Sequence, residues 1–420
     1  MEQFVIQGGQ KLHGELSVNG AKNHVLKLIP AAFLFDGPIT IHNVPQVEDV
    51  FRLLEIVEQI GGTVNRDNRT VTITPPEHFD GKLSTELVPK LRASLVLIGP
   101  LLARYGRVEL PSPGGDKIGR RPLNFFVDSF RALGAQVTER DEMYDFRGKK
   151  GLRGCEIFLP RITVTGTETI MMAAVLAEGV TVIKNAACEP EVVALGEFLM
   201  AQGAKISGIG THTVTIEGGK LLTGGEVKVI PDRIEAGSFA MLAAATGSDL
   251  TITNCRPDHL ELPLQMMMQM GVKLETTPDS IHVYGSRGDL EPIEVVTHEY
   301  PGFPTDLQSP MTILLTQASG TSHVRETIFE GRLFYTDELN RMGAKISLLD
   351  PYRILVDGPM ELIGKTLTTP DLRAGIAMLI AGLIAKGTTT IQNIYHIDRG
   401  YERIEERLAA IGADITRIRG

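Results

Sequence analysis

Cysteine is scarce. Cys155, Cys188 and Cys255 are the three in 420 residues, too few and too scattered for a disulfide framework or a Cys-x-x-Cys metal site, so they read as small buried side chains. The ten histidines show no H-E-x-x-H or related ligand spacing, and no metal is expected. An excess of positive charge is missing too. The 42 basic and 51 acidic residues leave a formal charge of -9, which argues against nucleic acid or an anionic membrane as a bulk partner. Any anion-binding site must therefore be local. The apolar runs stop well short of the ~20 residues that a membrane span requires. The amino terminus, MEQFVIQGGQKLHGEL, has no basic segment followed by a long apolar core, so no secretory signal is expected and a cytoplasmic location is. The glycines of 203–211 lie between strand-like segments, not between a strand and a helix, which removes a nucleotide-binding loop.

What the chain has is a repeat. Its length and 43% apolar content allow two or three domains with sizeable cores. A helix-ending tag, apolar-Gly-small-x-apolar, recurs with Gly61, Gly134, Gly203, Gly271, Gly343 and Gly412. A glycine followed by a β-rich run recurs at Gly37, Gly106, Gly179, Gly247, Gly320 and Gly387. Both markers keep intervals of 67 to 73 residues, so the chain is six variants of one α/β unit. The helix before the first tag is amphipathic, as in Val50, Leu53, Leu54 and Val57, and again in Ile404, Leu408 and Ile411. The helix before the second tag is apolar nearly all round, as in SLVLIGPLLA (94–103), TIMMAAVLA (169–177), MTILLTQA (311–318) and GIAMLIAGLIA (375–385), and must be buried on every side. Segments such as VTITP, VTVIKN, LTITN and TTTIQN read as strands. The economical packing is an inverted one, with apolar helices inside and sheets and amphipathic helices outside. Six units divide into two groups of three, because one core stops growing at roughly 250 residues, with the break near Val229 to Asp232.

The starts of the six buried helices fall in phase: Lys22 and Asn23, Arg92, Thr163 to Thr167, Asp232 and Arg233, Thr305 and Asp306, then Asp371 and Arg373. Thr and Asp suit N-caps there. A cation beside the positive end of a helix dipole is unfavourable unless an anion lies nearby, and four of the six starts carry one, so a phosphate or carboxylate ligand is expected where these ends converge. The segment PSPGGDKIGRRP (111–122), with Asp116, Lys117, Arg120 and Arg121, has the composition of a mobile lid or of a charged surface turn. In YHIDRGYERIEERL, Asp398 reads as an N-cap and Arg399 as a cation in the first helical turn.

The chain also resembles the enolpyruvyl transferases, and within them the branch acting on UDP-sugars, from about Gly8 to Arg419. The resemblance rests on G-A-K-N (20–23), L-R-A-S (91–94), P-G-G-x-x-I-G-x-R-P (113–122), E-P-E-V-V (189–193), P-D-R-I-E (231–235), F-P-T-D (303–306), E-T-I-F-E (326–330), D-L-R-A (371–374) and H-I-D-R-G-Y-E-R-I-E (396–405), in order and in spacing. It implies an inside-out α/β barrel fold of two domains, each of three pseudo-repeats with buried helices and outer sheets. These would be 22–230, carrying the lid loop 111–122, and 1–21 plus 231–420, with the active site in the cleft between them.

The implied reaction moves the enolpyruvyl group of phosphoenolpyruvate to the 3-hydroxyl of UDP-N-acetylglucosamine, releasing phosphate, as the first committed step of peptidoglycan synthesis. It runs by addition and elimination through a tetrahedral ketal and uses no metal or organic cofactor. By matching motifs, Asp306 handles the sugar hydroxyl proton, while Lys22, Arg121 and Arg399 form the phosphoenolpyruvate cluster, with Asn23 bonding in the same centre. Arg92, Arg121, Pro122, Leu123, Asn124, Phe125, Arg161, Ile162, Thr163, Val164 and Ile328 take the UDP-sugar together with Asp306. Asp371 and Arg373 line the site. The partners implied are these two small molecules, with neither nucleic acid nor membrane.

The chain departs from that pattern in the lid, where Asp116 stands in place of the family's cysteine, its general acid and the target of fosfomycin. A carboxylic acid has a reference pKa of about 3.9 against about 8.5 for cysteine, so Asp116 must be raised on closure to act as an acid near neutrality. Insensitivity to fosfomycin and a lower pH optimum are expected. His24 and Lys27 replace small or apolar residues, Asn124 replaces an aspartate, and Thr165 stands where the family favours glycine. These four changes leave open a different nucleotide or sugar, or ordinary drift. The alternatives are the sibling class acting on shikimate-3-phosphate and, from the altered lid, a non-catalytic UDP-sugar-binding paralogue.

Overall fold

The computed structural model describes residues 2–116, 118–285 and 289–419. Lys117 of the lid segment lies outside them. Contacts divide the chain into two units. One comprises Gly20–Gly115 and Arg121–Ile230, the other Met1–Asn19, Asp116–Arg120 and Pro231–Gly420. The first boundary thus falls two residues earlier than expected. The tip of the lid segment groups with the carboxy-terminal unit, because Gly331 N-H donates to the Ile118 carbonyl (3.0 Å) and Arg120 N-H to Glu330 (3.3 Å).

Among the described residues each unit has three apolar helices inside and three sheets outside, the inside-out α/β arrangement. In the amino-terminal unit the core helices are Lys22–Ala31, Ile98–Tyr105 and Val164–Val175, the second led in by a tight turn of helix, Arg92–Leu97. In the carboxy-terminal unit they are Arg233–Thr246, Gln308–Leu315 and Leu372–Ile384, and the turn Thr305–Leu307 leads into the middle one. Every residue of Arg233–Thr246 is buried, as a helix without a polar face requires. The outer helices keep a wet side: in Glu48–Gln59, Val50, Leu53, Leu54 and Val57 are buried while the rest of the surface is largely charged.

Five of the six sheets among the described residues follow one recipe, and the sixth, Arg107–Pro111 with Met143–Arg147 and Gln136–Arg140, is antiparallel throughout. Val180–Lys184 pairs in parallel with Glu156–Phe158 and antiparallel with Thr213–Glu217, which pairs antiparallel with Lys205–Ser207. The amino terminus completes two sheets of the carboxy-terminal unit. Gln3–Gln7 inserts antiparallel between Thr388–Gln392 and Asp414–Ile418, and His13–Ser17 pairs in parallel with Asp249–Thr253. Alternation decides its faces, with Phe4 and Ile6 fully buried.

The helix-ending glycines Gly61, Gly134, Gly203, Gly271, Gly343 and Gly412 all adopt φ between 91° and 103°, a left-handed stop that a Cβ would strain. A further recurrence went unread in the sequence. Asn43, Asn185, Asn254 and Asn393, each closing an apolar-x-Asn strand end, adopt φ of 54° to 60°, which asparagine tolerates best among side chains with a Cβ. Each amide donates to a neighbouring carbonyl: Val229, Leu159, Val18 and Thr369 respectively.

Candidate active site

In the carboxy-terminal unit three of the candidate residues, Asp306, Asp371 and Arg373, gather where two core helices begin. Asp306 sits on the turn before Gln308–Leu315, and Arg373 lies in the first turn of Leu372–Ile384. Arg373 Nε and Nη2 lie 3.0 and 2.8 Å from Asp306 Oδ2, and Arg332 Nη1 donates to Oδ1 at 2.7 Å. Burial alone would raise the carboxyl pKa. The Arg373 and Arg332 guanidiniums override it and hold Asp306 well below the usual carboxylate range. Asp371 caps Leu372–Ile384, accepting from Arg373 N-H (2.8 Å) and Ala374 N-H (3.0 Å). Burial pushes its pKa up, against the opposing charge of Arg332. Asp116 pairs with the buried Arg399, whose side chain is 6% exposed. Ile328 is half-buried, its N-H bonded to the Glu326 carboxylate at 2.8 Å.

The other unit holds the remaining residues. Lys22 opens the first core helix and forms a buried pair with Asp49 at 2.9 Å, with Asn23 beside it in sequence. Arg92 donates to the carbonyls of Arg121 (2.5 Å) and Pro113 (3.4 Å), bracing both arms of the lid segment. Burial, then the charge of Arg121, lower its pKa to about 10. The Gly-rich arm is closely packed: a Cβ on Gly114 would lie 1.5 Å from the Pro89 carbonyl oxygen. Pro122 and Leu123 lead into the helix Asn124–Ala132, with Leu123 buried and Asn124 exposed. The Arg161 guanidinium lies 5.9 Å from the Phe125 ring centroid, a cation–π contact. Ile162 is half-buried, and the Thr163 hydroxyl caps the helix that Val164 begins, accepting from Gly166 N-H at 3.2 Å.

Two of the departures, His24 and Lys27, lie within the core. His24 is buried, and its Nδ1 accepts from Ile230 N-H at 3.2 Å, so the neutral ring carries its proton on Nε2. Burial, opposed by Glu191 and aided by Lys27, lowers its pKa to about 4. Lys27 Nζ stands 2.9 Å from Glu168 Oε2, both side chains buried, and burial raises Glu168 to about 7 against the pull of Lys27. Thr165 lends its carbonyl to the Thr169 hydroxyl inside the third core helix.

Three sequence expectations need correction. Of the three cysteines Cys255 is buried, whereas Cys155 and Cys188 are half-buried. Arg399 is not in a first helical turn: the short helix runs Tyr395–Asp398 and Arg399 follows its end, where the dipole favours a cation. Asp398 is no N-cap but pairs with Arg417 at 2.6 Å. Two of the four helix-start cations already face a protein carboxylate, Lys22 that of Asp49 and Arg373 that of Asp306. Arg332 was missed because it starts no helix and lies two residues beyond the quoted E-T-I-F-E. Its one available signal was adjacency to that motif.

Known proteins match nearly the whole chain. A family model described as EPSP synthase (3-phosphoshikimate 1-carboxyvinyltransferase) matches residues 6–408. The chain is 44% identical over 415 residues to UDP-N-acetylglucosamine 1-carboxyvinyltransferase 2 of Listeria innocua serovar 6a, covering 99% of this chain and 97% of that protein. It is 43% identical over 419 residues to the UDP-N-acetylglucosamine 1-carboxyvinyltransferase of Solibacter usitatus, covering 100% of each. Among solved structures, the enolpyruvyl transferase NikO from Streptomyces tendae matches with a TM-score of 0.90 at 25% identity, over 99% of this chain and 98% of that one. EPSP synthase from Acinetobacter baumannii matches at 0.74 and 20% identity over 100% of both chains, which bears on the fold.

Proposed function

The chain belongs to the enolpyruvyl transferase family, that of EPSP synthase, and on that premise we propose that it transfers the enolpyruvyl group of phosphoenolpyruvate to the 3-hydroxyl of UDP-N-acetylglucosamine, releasing phosphate at the first committed step of peptidoglycan synthesis. The observation that carries this reading is the full-length identity to relatives bearing that activity as their name. The geometry supports it: one fixed carboxylate, Asp306, and a second, Asp116, resting on a buried arginine.

In this reading Lys22, Arg121 and Arg399 hold the phosphate and carboxylate of phosphoenolpyruvate, with Asn23 bonding beside them. Arg92, the 121–125 segment, the 161–164 segment and Ile328 take the UDP-sugar. The 3-hydroxyl oxygen bonds to C2 of phosphoenolpyruvate while a proton reaches C3 from Asp116, giving a tetrahedral ketal. The hydroxyl proton passes to Asp306. Phosphate then leaves C2 and a proton leaves C3, which restores the double bond. Two arginines make Asp306 a weak base, so it takes the proton late, once the forming C–O bond has made the hydroxyl strongly acidic. The Asp116 carboxylate rests against Arg399. Phosphoenolpyruvate must draw Arg399 away before Asp116 can carry the proton that C3 receives.

Phosphate release from phosphoenolpyruvate tests the reading, with UDP-N-acetylglucosamine or shikimate-3-phosphate as acceptor. Release with the UDP-sugar alone is expected. Release with shikimate-3-phosphate alone transfers the assignment to that acceptor, and UDP-sugar binding without release with either leaves a binding paralogue.

A further inference from the structure

The hydrogen bonds behind Asp306 have a determined direction. Tyr401 is fully buried in the carboxy-terminal unit, its hydroxyl 3.0 Å from Ser238 Oγ and 3.3 Å from Arg373 Nη1. Ser238 Oγ lies 2.7 Å from the Ile234 carbonyl oxygen, one turn back in the helix Arg233–Thr246. A guanidinium only donates and a carbonyl only accepts. Arg373 therefore donates to Tyr401, Tyr401 to Ser238, and Ser238 to Ile234. Any other direction strands a buried hydroxyl proton without an acceptor. Burial pushes the Tyr401 phenol up to about 12 against the charge of Arg373, so it keeps its proton and goes on donating.

The carboxylate is held unequally. Oδ2 has two Arg373 nitrogens within 3.0 Å, whereas among the described residues Oδ1 accepts from Arg332 alone. Each carboxylate oxygen has room for about two donors, so Oδ1 keeps one position open. The two arginines are also unequally anchored. Arg373 is tied to the Tyr401 chain, while Arg332 reaches Thr305 Oγ1 at 3.1 Å and its buried Nε has no partner among the described residues.

We propose that Tyr401 is a positioning residue: through Ser238 and the Ile234 carbonyl it fixes the Arg373 guanidinium, which saturates Asp306 Oδ2 and presents Oδ1 to the acceptor hydroxyl. The proposal rests on the reading of Asp306 as the group that takes the hydroxyl proton. Tyr401→Phe keeps the ring and removes the hydroxyl. The expected result is a fall in kcat on the order of tenfold, with KM for both substrates within about twofold. The acidic limb of the kcat–pH profile moves to higher pH, because a loosened Arg373 leaves Asp306 easier to protonate.

Ser238→Ala, a helix-favouring change inside a helix, shifts kcat and the limb the same way by less. The double variant is no worse than Tyr401→Phe, since both break one chain. An unmoved pH profile, or a raised KM with kcat intact, overturns the proposal. Should circular dichroism show Tyr401→Phe unfolded, the same pH readout on Ser238→Ala decides. A wild-type protein that releases no phosphate with UDP-N-acetylglucosamine overturns the underlying reading instead.

Discussion

His24 ties residues that lie 206 positions apart: its Nδ1 accepts the N-H of Ile230, the last residue of the amino-terminal unit. Protonation turns that acceptor into a donor, so the Ile230 N-H loses its partner and a charge appears inside the core. The folded-state pKa of about 4 lies below the reference 6.5. Between those values the unfolded chain binds more protons than the folded one. Stability therefore rises with pH through the window and is lost as pH falls through it. At about 1.36 kcal/mol per pKa unit, His24 removes about 2 kcal/mol between pH 7 and pH 5, and about 3 kcal/mol by pH 4. Asparagine can offer Oδ1 where Nδ1 was and cannot titrate. His24→Asn should cost roughly 1 kcal/mol at pH 7, through lost packing, yet fall less steeply than wild type on acidification. Urea denaturation at pH 7, 5 and 4 reads the difference directly. Curves for the two proteins that stay parallel within about 0.5 kcal/mol across that range would refute the assignment of Nδ1 as a neutral acceptor.

Glu168→Gln removes the carboxylate 2.9 Å from the buried Lys27 ammonium and, measured above pH 7 where Glu168 is ionised, should destabilise the protein by about 3–5 kcal/mol. Lys27→Met combined with it should recover most of that loss, and a double-variant denaturation cycle checks the coupling. Asp116 is expected to make the enzyme insensitive to fosfomycin, because a carboxylate is a far poorer nucleophile toward an epoxide than a thiolate. Activity that stays constant with time in the drug, and Asp116→Cys becoming inactivated by it, are the expected outcomes; progressive covalent loss in the wild type sinks the idea.

Much of the fold could be read from spacing alone. The left-handed glycines are local requirements of the backbone, so their period counts the units and locates six helix starts without any tertiary knowledge. Asp232, Thr163 and Asp371 cap their helices as their residue types predict. Arg399 was misplaced because local signals at Asp398 suggested a cap, whereas Asp398 is held by Arg417 from the last strand. Arg332 and Tyr401 lie off the repeating positions, and only packing brings them to Arg373 and Asp306.

Sequence by itself determined the number of units and the inverted burial of their helices, because both follow from periodicity and local backbone chemistry. Tertiary structure decided which charges are already compensated. Lys22 meets Asp49, Lys27 meets Glu168, and Asp306 lies between two arginines. Those pairings, the last of which holds Asp306 well below the usual carboxylate range, depend on distances of a few ångströms between segments far apart in the chain, which no local pattern encodes.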